Sequence, residues 1–410
     1  MKVLHVITRL EAGAGGNTLM SAIGMDMSRY EMWIAGGPGG PLWAQARRAG
    51  VHVVELPHLR RAVNAVDDTR TLIELVTLIR REHFAIVHVH SAKSGVLGRL
   101  AALLCRVPVV IYTLHGRDPW WPAPDGAATQ LSARLPDASR AFLTVERLLR
   151  LATDRFVAVA PSVARDAVLA RVATPGKVDV AASAVDLDNI PFGPPSWVRG
   201  ELGVPPSAPL IGTVGRLDAQ KAPLDFVRMA AQVARRRPDA CFVMVGDGEL
   251  AGEVEELARN LGVSVLLTGF RTDAAQLAAA FDVFVISSLY EGVGRALTEA
   301  MASGRPVVAT AVDGVVDVVS PGATGLLAGA GDPGSLAEGV TWMLDHPDEA
   351  TQMGVQARAV VRELFSASRM CSTLDAVYSA ALGLVPLGAP VLDTSGVDRV
   401  AASSGSGPIR

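Results

Sequence analysis

The sequence predicts an α/β protein built from two doubly wound parallel sheets. Short runs rich in valine and isoleucine recur along the chain, and a helical pattern follows each of them. The runs are apolar at nearly every position, which is typical of strands buried on both faces of a parallel sheet. A segment dense in proline and glycine, residues 188–209, divides the runs into two series. Each series therefore predicts its own sheet, with helices on both faces.

Each strand is predicted from one apolar run. In the first half we expect Val3–Thr8, Met32–Gly36, Val51–Leu56, Ala85–His90, Val109–Leu114, Phe156–Ala160 and Lys177–Ala181. In the second half we expect Leu210–Val214, Cys241–Val245, Val263–Thr268, Val283–Ser287, Val307–Thr310 and Gly325–Leu327. The predicted organisation is a Rossmann-like domain over 1–190, a linker over 191–209 and a second Rossmann-like domain over 210–364. A closing helix over 365–382 is expected to pack back on the first domain. The Gly/Ser/Pro-rich tail over 383–410 is expected to be disordered.

Composition excludes several classes of protein. The chain has 410 residues, 50% of them hydrophobic, and a formal net charge of -3, so no basic bias points to a nucleic acid. Its three widely spaced cysteines predict neither a disulfide framework nor a zinc site. The opening "MKVLHVITRL" is expected to be a core strand rather than a signal peptide, and no apolar stretch reaches the length of a membrane span. We therefore expect a cytoplasmic protein, with peripheral contact at the inner membrane face left open.

Two basic residues follow the first strand of the second series. The stretch "VGRLDAQKAP" places Arg216 and Lys221 in the loop after that strand. Two cations beside a flexible glycine backbone suit a multiply charged anion such as a diphosphate. An ordinary surface pair at a helix start remains the alternative. The next strand leads into "VGDGEL", where Gly246 and Gly248 would let the backbone approach a ligand, or would form a plain turn between strand and helix.

Two glutamates flank a glycine-rich turn in "LYEGVGRALTEA". Glu291 precedes the predicted helix, Glu299 lies one turn inside it, and Gly292 and Gly294 free the turn between them. The helix N-terminus favours an anion, while carboxylates accept hydrogen bonds from paired hydroxyls. This pattern predicts a polyol held beside a phosphate. The alternative for Glu299 is an i,i+4 ion pair with Arg295, and Glu291 is alternatively a plain acid at a helix start.

The first half of the chain contains fewer candidate binding or catalytic side chains. His115 and His90 both end predicted strands, so each is a candidate for a ligand cleft, whereas His5 is expected in the core. No histidine triad with metal-ligand spacing emerges, and we predict no metal. Trp120 and Trp121 are adjacent in a proline-rich loop and are candidates for acceptor binding or for plain packing. The amphipathic segment 138–155 predicts either a core-facing helix with a basic outer side or contact with an anionic membrane.

The ordered set of motifs resembles family 4 of the glycosyltransferases. The second half carries "GRLDAQK", "VGDG", "TGF", "EAMASGRPVVAT" and "TGLLAGAGDPGSLAEGV" in the family's order, and "FSASRMCSTLDAVYSAAL" is similar to its closing helix. The first half agrees more loosely, through "GAGG", "IVHVHSAKSGVLGRLAA", "YTLHG" and "SAVDLDNI". The resemblance implies a GT-B fold, with two Rossmann-like domains facing across a cleft. It also implies transfer of a sugar from a nucleotide-sugar, with retention of configuration and without a metal or other cofactor.

The resemblance also assigns roles to the candidate residues. It implies an acceptor-binding first domain and a donor-binding second domain, with Arg216 and Lys221 on the donor diphosphate, Glu299 on the ribose and Glu291 on the donor sugar. The catalytic candidates are Arg216, Lys221, Glu291 and His115. The remaining donor-binding candidates are Gly15, Gly16, Gly246, Phe270, Arg271, Gly292, Val293, Gly294, Arg295 and Ala296. The acceptor-binding candidates are His90, Trp120 and Trp121.

Two departures from the family pattern affect the predicted sugar pocket. Val293 stands where the family usually has an aromatic residue, and Arg295 and Ala296 stand where it usually has aliphatic ones. The identity of the donor therefore stays open, and Arg295 is a candidate for an added phosphate contact.

We expect a hexosyl or N-acetylhexosaminyl transferase of class EC 2.4, using a UDP-sugar, in envelope polysaccharide or glycoconjugate synthesis. The expected partners are the nucleotide-sugar donor and a lipid-linked glycan or small-molecule acceptor, with no nucleic acid. Glycosylation of a small metabolite and a nucleotide-sugar epimerase on the same scaffold remain alternatives. A dinucleotide-dependent oxidoreductase is disfavoured because "GAGGN" lacks the GxGxxG spacing.

Overall fold

A computed structural model of the chain describes residues 1–11, 13–116 and 137–384. It divides into two compact units, one formed by Met1–Ala184 with the helix Ala367–Ala381 and the other by Val185–Ser366. The division comes before the boundary predicted at residue 190. The predicted linker, residues 191–209, belongs to the second unit and contains a short helix. Trp120 and Trp121 lie outside the described residues, as does nearly all of the predicted tail.

The first unit is built on a seven-stranded parallel sheet. Its strands follow one another in the spatial order β3-β2-β1-β4-β5-β6-β7. They are β1 (Lys2–Arg9), β2 (Glu31–Gly37), β3 (His52–Glu55), β4 (Ile86–His90), β5 (Val109–Leu114), β6 (Arg155–Ala158) and β7 (Val178–Val180). Its helices are α1 (Ala14–Ile23), α2 (Leu42–Arg48), α3 (Ala65–Glu82), α4 (Ala92–Cys105), α5 (Asp137–Leu149), α6 (Pro161–Leu169) and the late helix Ala367–Ala381.

The second unit is built on a six-stranded parallel sheet. Its spatial order is β10-β9-β8-β11-β12-β13. The strands are β8 (Leu210–Val214), β9 (Cys241–Val245), β10 (Val265–Leu267), β11 (Val283–Ile286), β12 (Val307–Thr310) and β13 (Leu326–Ala328). The helices are α7 (Ser196–Glu201), α8 (Pro223–Arg236), α9 (Ala251–Leu261), α10 (Ala274–Ala278), α11 (Arg295–Ala302), α12 (Pro333–Asp345) and α13 (Pro347–Leu364), and the helix Ala367–Ala381 of the first unit is α14.

The predicted α/β fold with two doubly wound parallel sheets is confirmed. Every strand expected from an apolar run is present, and the strands β5, β8, β9 and β12 have the predicted bounds. All residues of β4, β5, β11 and β12 are buried, which explains why these runs are apolar without alternation. The structure thus follows from burial of each central strand between helices.

The helix α14 contributes to the core of the first unit, far from it in sequence. Met370, Leu374, Val377 and Tyr378 belong to the same buried cluster as residues of α1 and the sheet. At the rim of this contact, the guanidinium of Arg29 donates hydrogen bonds of 2.8 Å to both carboxylate oxygens of Asp375. The last helix is therefore part of the first unit's interior.

The helix α5 faces the core with one side. Leu143, Glu146 and Leu149 are buried, and Glu146 accepts a 2.5 Å hydrogen bond from the fully buried guanidinium of Arg99. Burial raises the pKa of Glu146, and the nearby Arg99 opposes this shift. The outer side exposes Val145 and Leu148, so it is more apolar than the predicted basic surface. Among the helices of the described ranges, none combines the length and the apolar character that a membrane crossing requires.

Candidate active site

The second sheet reverses its winding direction between β8 and β11. These two strands are neighbours, and the sheet extends to β9 and β10 on one side and to β12 and β13 on the other. In an open α/β sheet, the loops that leave such a pair of strands separate and form a ligand crevice at the carboxyl ends of the strands. Arg216 and Lys221 follow β8, and residues 291–299 follow β11. The fold therefore brings both predicted groups to one switch point.

Hydrogen bonds tie the two loops together. The backbone N–H of Leu289 donates to the carbonyl oxygen of Gln220 at 2.8 Å. The side-chain amide of Gln220 donates in turn to the carbonyl oxygen of Tyr290 at 3.1 Å. The hydroxyl of Ser287 donates to the carbonyl oxygen of Lys221 at 2.9 Å. These bonds join the loop after β8 to the loop after β11, so the two loops pack against each other as one surface.

Glu291 is the centre of the charged network. Its side chain is 6% exposed and accepts hydrogen bonds from the ammonium of Lys221 and, at 2.9 Å, from the hydroxyl of Ser288. Its backbone N–H donates to Asp313 Oδ2 at 2.8 Å. A buried carboxylate is stable when it is paired and hydrogen-bonded in this way. The network holds the side chain of Glu291 in one orientation beyond the carboxyl end of β11.

Arg216 is the more exposed of the two cations. Its guanidinium is half exposed and contacts Asp218 Oδ2 at 2.8 Å and Gln220 Oε1 at 3.0 Å. Lys221, by contrast, is largely covered. A small cavity at the ends of β8, β9 and β11 is bordered by both cations together with Thr213, Gly215, Met244 and Ser287. Both cations thus border this cavity, with Lys221 more buried than Arg216.

The helix α11 begins at the glycine-rich turn that the sequence predicts. Gly294 has φ 81°, a left-handed conformation that glycine adopts without strain, and Arg295 opens the helix. Arg295 Nε donates to Glu299 Oε1 at 2.7 Å, which is the i,i+4 pair given above as an alternative. Val293 is buried, and Gly292 and Ala296 are partly exposed on either side of the turn. The N-terminus of α11 therefore directly follows the loop that carries Glu291, and Glu299 lies one turn inside the helix.

The two glycines of "VGDG" serve backbone packing. A Cβ on Gly246, which has φ 143°, would lie 1.8 Å from the carbonyl oxygen of Gly215. A Cβ on Gly248 would lie 2.4 Å from the carbonyl oxygen of Leu217. These glycines therefore let the loop after β9 pack closely against the loop after β8. The donor contact expected at Gly246 stays a prediction.

Phe270 and Arg271 follow β10 in the same sheet. The ring of Phe270 is 67% exposed, so its face is available to a planar partner. Arg271 forms ion pairs at 2.6 Å with Asp273 and Glu201, and hydrogen bonding to these two acids raises its pKa further. Its guanidinium is committed to acidic neighbours in this structure.

The first sheet has its own switch point, between β1 and β4. Gly15 and Gly16 lie in the first turn of α1, directly after β1. A Cβ on Gly15 would approach the carbonyl oxygen of Arg9 to 3.1 Å, so the glycine permits close packing of helix on strand. The amide of Asn17 lies in the same helix, and its oxygen accepts hydrogen bonds from Ser183 and Ala184.

Four histidines lie close together on β1, on β4 and just after β5. His5, His88 and His90 are buried, and each offers a ring nitrogen within 4.8 Å of the others. The sequence predicted no group of three histidines with metal-ligand spacing, and this prediction is wrong. The adjacent strands β1 and β4 align His5 with His88. The three nitrogens form the one group in the described ranges with the spacing of a metal site, but they bring no carboxylate or thiolate to balance a buried dication.

The same cluster corrects the role expected for His90. Its side chain is 1% exposed, and its two ring nitrogens are hydrogen-bonded to His5 at 2.8 Å and to His115 at 3.0 Å. A side chain held on both nitrogens in the interior cannot contact an acceptor. His115 is the partly exposed member of the group, and burial of its ring lowers its pKa to about 4. It is neutral at pH 7.

Several polar residues at these sites escaped the sequence interpretation. Asp313, which follows β12 and has φ 35°, binds the backbone N–H of Glu291. Ser288 and Gln220 hold the loops after β11 and β8. Their position just beyond strand ends is a signal that the sequence does contain. Tyr378, on α14, offered no such signal, because its partners His88 and His5 lie 290 and 373 residues away in the chain.

Comparisons with known proteins agree with this geometry. Residues 208–346 match the family model described as "Glycosyl transferases group 1", and residues 24–189 match "Glycosyltransferase Family 4". A D-inositol 3-phosphate glycosyltransferase of Nocardia farcinica is 32% identical over 311 residues, which are 73% of this chain and 67% of that protein. An α-maltose-1-phosphate synthase of Mycolicibacterium smegmatis is 30% identical over 355 residues, 81% of this chain and 88% of that protein.

A third relative acts on a lipid-linked sugar, according to its name. It is the UDP-Gal:α-D-GlcNAc-diphosphoundecaprenol α-1,3-galactosyltransferase of Escherichia coli, 31% identical over 269 residues, which are 63% of this chain and 66% of that protein. Among solved structures, Anabaena HepE in complex with UDP and glucose has a TM-score of 0.78 at 20% identity, covering 93% of this chain and all of that one. Its likeness supports the GT-B fold. The chain belongs to the family 4 glycosyltransferases, the glycosyl transferases group 1, with the GT-B fold.

Proposed function

We propose that the protein is a retaining glycosyltransferase that moves a sugar from a nucleotide-diphosphate sugar, with UDP favoured, to a hydroxyl acceptor. The observation that carries the proposal is the switch point between β8 and β11, where two cations, the N-terminus of α11 and two carboxylates lie together. In this proposal the second unit binds the donor and the first unit binds the acceptor.

The donor fits this site group by group. The diphosphate is bound by Arg216, Lys221 and the first N–H groups of α11, all of which favour negative charge. Glu291 accepts hydrogen bonds from hydroxyls of the donor sugar, and Glu299 accepts them from the ribose. The exposed ring of Phe270 stacks against the base. In this arrangement Lys221 bridges the phosphate and Glu291, so the ion pair in the structure prepares both groups for the ligand.

The reaction breaks the bond between the anomeric carbon and the β-phosphate oxygen, and the acceptor oxygen forms its new bond on the same face of the sugar. The bonding electrons leave with the nucleoside diphosphate, and the acceptor's proton passes to that departing phosphate oxygen. Arg216, Lys221 and the helix N-terminus stabilise the charge that grows there, which is the task that a metal ion performs in other phosphate sites. We therefore propose that no metal is required.

The acceptor is proposed to be a polyprenyl-diphosphate-linked sugar of an envelope glycan. The Escherichia coli relative supports this choice by its name. The exposed side chains of Leu148 and Leu151, with Leu103 and Leu104 on α4, provide an apolar surface that suits peripheral contact with an inner membrane. A D-inositol 3-phosphate acceptor is the second candidate, because four named relatives of that activity each match about 73% of the chain.

The experiment combines donor binding with product analysis. Thermal shift is measured with UDP, GDP and ADP and their sugars, in buffer with EDTA, and the stabilising donor is incubated with each acceptor class. We expect stabilisation by UDP and its sugars, and an α-linked product from an α-linked donor on the lipid diphosphate acceptor.

The outcomes separate the alternatives. Conversion of the donor sugar without any acceptor would indicate an epimerase and contradict the proposal. Inversion at the anomeric carbon would contradict retention alone. Activity that is lost in EDTA and restored by a divalent ion would contradict metal independence, and a product formed only with D-inositol 3-phosphate would replace the lipid acceptor.

A further inference from the structure

A continuous line of side-chain hydrogen bonds crosses the first sheet and ends at His115. On one side, His115 Nε2 contacts His90 Nδ1 at 3.0 Å, and His90 Nε2 contacts His5 Nδ1 at 2.8 Å. The other nitrogen of His5, Nε2, lies 3.3 Å from the hydroxyl of Tyr378. Each histidine in this part of the line uses one ring nitrogen toward each neighbour.

The line continues from Tyr378 into β5. The hydroxyl of Tyr378 contacts His88 Nδ1 at 2.6 Å, and His88 Nε2 contacts the hydroxyl of Thr113 at 2.6 Å. The hydrogen-bonded order is thus Thr113, His88, Tyr378, His5, His90 and His115. Five strand or strand-end positions and one position on α14 are joined without a gap.

Every inner member of the line is neutral. His5, His88 and Tyr378 are fully buried, so no water reaches them to stabilise a charge. Burial lowers the pKa of His5 to about 3 and that of His88 well below its usual value, and it raises the pKa of Tyr378. A neutral imidazole has one N–H donor and one acceptor nitrogen. Each inner histidine therefore accepts a hydrogen bond on one ring nitrogen and donates one from the other, so all bonds in the line run in the same direction.

The threonine at the far end sets this direction. Thr113 is 3% exposed, and within the described part of the chain His88 Nε2 is the hydrogen-bond partner of its hydroxyl. If Thr113 instead accepted from His88 Nε2–H, its own buried hydroxyl proton would have no acceptor among the described residues, which costs free energy, so we assign this proton to the bond with His88. It follows that His88 Nδ1–H donates to Tyr378, Tyr378 donates to His5 Nε2, His5 Nδ1–H donates to His90, and His90 Nδ1–H donates to His115 Nε2.

We propose that this line is a tautomer relay, in which Thr113, Tyr378 and the three inner histidines hold His115 as the Nδ1–H tautomer. His115 then offers a neutral N–H donor, which can bind a hydroxyl or phosphate oxygen of the substrates. In this tautomer it does not act as a base that takes a proton from the acceptor. Thr113 and Tyr378 are positioning residues, because each acts on His115 only through others. The role in turnover rests on the proposed function, whereas the tautomer is a property of the protein alone.

A metal at the same histidines is the competing interpretation. It would need the ring nitrogens that now form the 2.8 Å contact between His5 and His90, and a dication there would be buried among neutral ligands. All the inner ring nitrogens already have partners in the relay. The contacts therefore favour the relay.

The relay is tested first by the tautomer of His115 in the protein without substrate. The full chain is labelled with ¹⁵N in histidine, and the ring nitrogens are assigned with single His→Asn variants, since protonated and unprotonated ring nitrogens have distinct ¹⁵N shifts. We expect Nδ1–H for His115 in the wild type, a mixture of tautomers in Tyr378→Phe and Thr113→Val, and recovery of Nδ1–H in Thr113→Ser.

Tyr30→Phe is the matched control. Tyr30 is equally buried, packs edge-on against Tyr378 and donates its hydroxyl to Asp375 at 2.7 Å, outside the relay. We expect Tyr378→Phe to lower kcat about fivefold to tenfold, the value of one hydrogen bond, with KM for the donor within about twofold. Tyr30→Phe should leave both the ¹⁵N spectrum of His115 and kcat unchanged.

Three results would overturn the relay. They are an Nε2–H tautomer of His115 in the wild type, identical His115 spectra in wild type and Tyr378→Phe, or one equivalent of zinc or cobalt bound with loss of the His5 and His90 signals. If the proposed transfer reaction itself proves wrong, only the kinetic arm is affected, because the spectra are recorded without substrate.

Discussion

The ammonium of Lys221 forms an ion pair with the buried carboxylate of Glu291 and so joins the loop after β8 to the loop after β11. The two residues are 70 positions apart in the chain. Because the carboxylate is also bonded to Ser288, it has no freedom to follow a displaced partner. The pair is therefore a structural link between the two loops, and in the proposed function it also contacts the diphosphate and the donor sugar.

Replacing Lys221 with alanine is expected to reduce turnover on the order of 100–1000-fold, because one preorganised cation for the leaving diphosphate is lost. It should also lower the free energy of unfolding by about 1–3 kcal/mol, since Glu291 is left buried without its partner. The double variant Lys221→Ala/Glu291→Gln should recover stability but not turnover. Kinetics and urea unfolding measure both, with Lys2→Ala as a surface control. Full activity in Lys221→Ala would remove this residue from the site.

Glu299 is predicted to accept hydrogen bonds from the ribose hydroxyls of the donor. Glu299→Ala should weaken UDP binding about 10–100-fold, the range for hydrogen bonds to a charged group. It should also abolish the preference for UDP over its 2′,3′-dideoxy analogue, as measured by calorimetry. Arg295→Met removes the 2.7 Å ion pair but leaves the carboxylate in place, so it should keep that preference. Equal discrimination by wild type and Glu299→Ala would contradict the assignment.

Gly246→Ala should destabilise the second unit by about 3 kcal/mol or more, because its Cβ would overlap the carbonyl oxygen of Gly215 and its φ of 143° is unfavourable for alanine. Gly252→Ala, in the exposed first turn of α9 with no atom within 4 Å, should instead stabilise by about 0.5–1 kcal/mol. Urea unfolding of both variants provides the comparison. A neutral Gly246→Ala would show that the two loops are not packed as described.

The buried histidines make stability depend on pH. Burial lowers the pKa of His5 to about 3 and of His115 to about 4, whereas the unfolded chain titrates near 6.5. Below pH 6.5 the unfolded state therefore binds more protons than the folded state. Stability should then fall with decreasing pH, by up to about 1.4 kcal/mol per pH unit for each such histidine.

Urea unfolding between pH 6.5 and 5 measures this effect, since most carboxylates remain ionised in that range. His83→Asn is the matched control, because His83 is exposed and has φ 55°, which asparagine tolerates. The variant should keep the full dependence on pH. A free energy of unfolding that stays constant over this range would mean that the cluster is accessible to protons in the folded state.

The local pattern of the chain determined the fold class and placed the residues of the proposed donor site at strand ends. Apolar runs such as Val109–Leu114 can only be strands covered on both faces, and two series of them require two sheets. Polar residues that follow β8 and β11 lie beyond the carboxyl ends of those strands, so the position of Arg216, Lys221, Glu291 and Glu299 in the sheet followed from the sequence.

Only the tertiary structure decided which side chains meet across the chain. It pairs Lys221 with Glu291, packs the backbone of Gly246 against that of Gly215, and buries His90, which the sequence had made a candidate for a ligand contact. It also places Tyr378 of α14 between His5 and His88. The physical reason is that hydrophobic periodicity sets the conformation and buried face of each segment. The neighbours across that face depend on the order of strands in the sheet and on close packing, which periodicity does not encode.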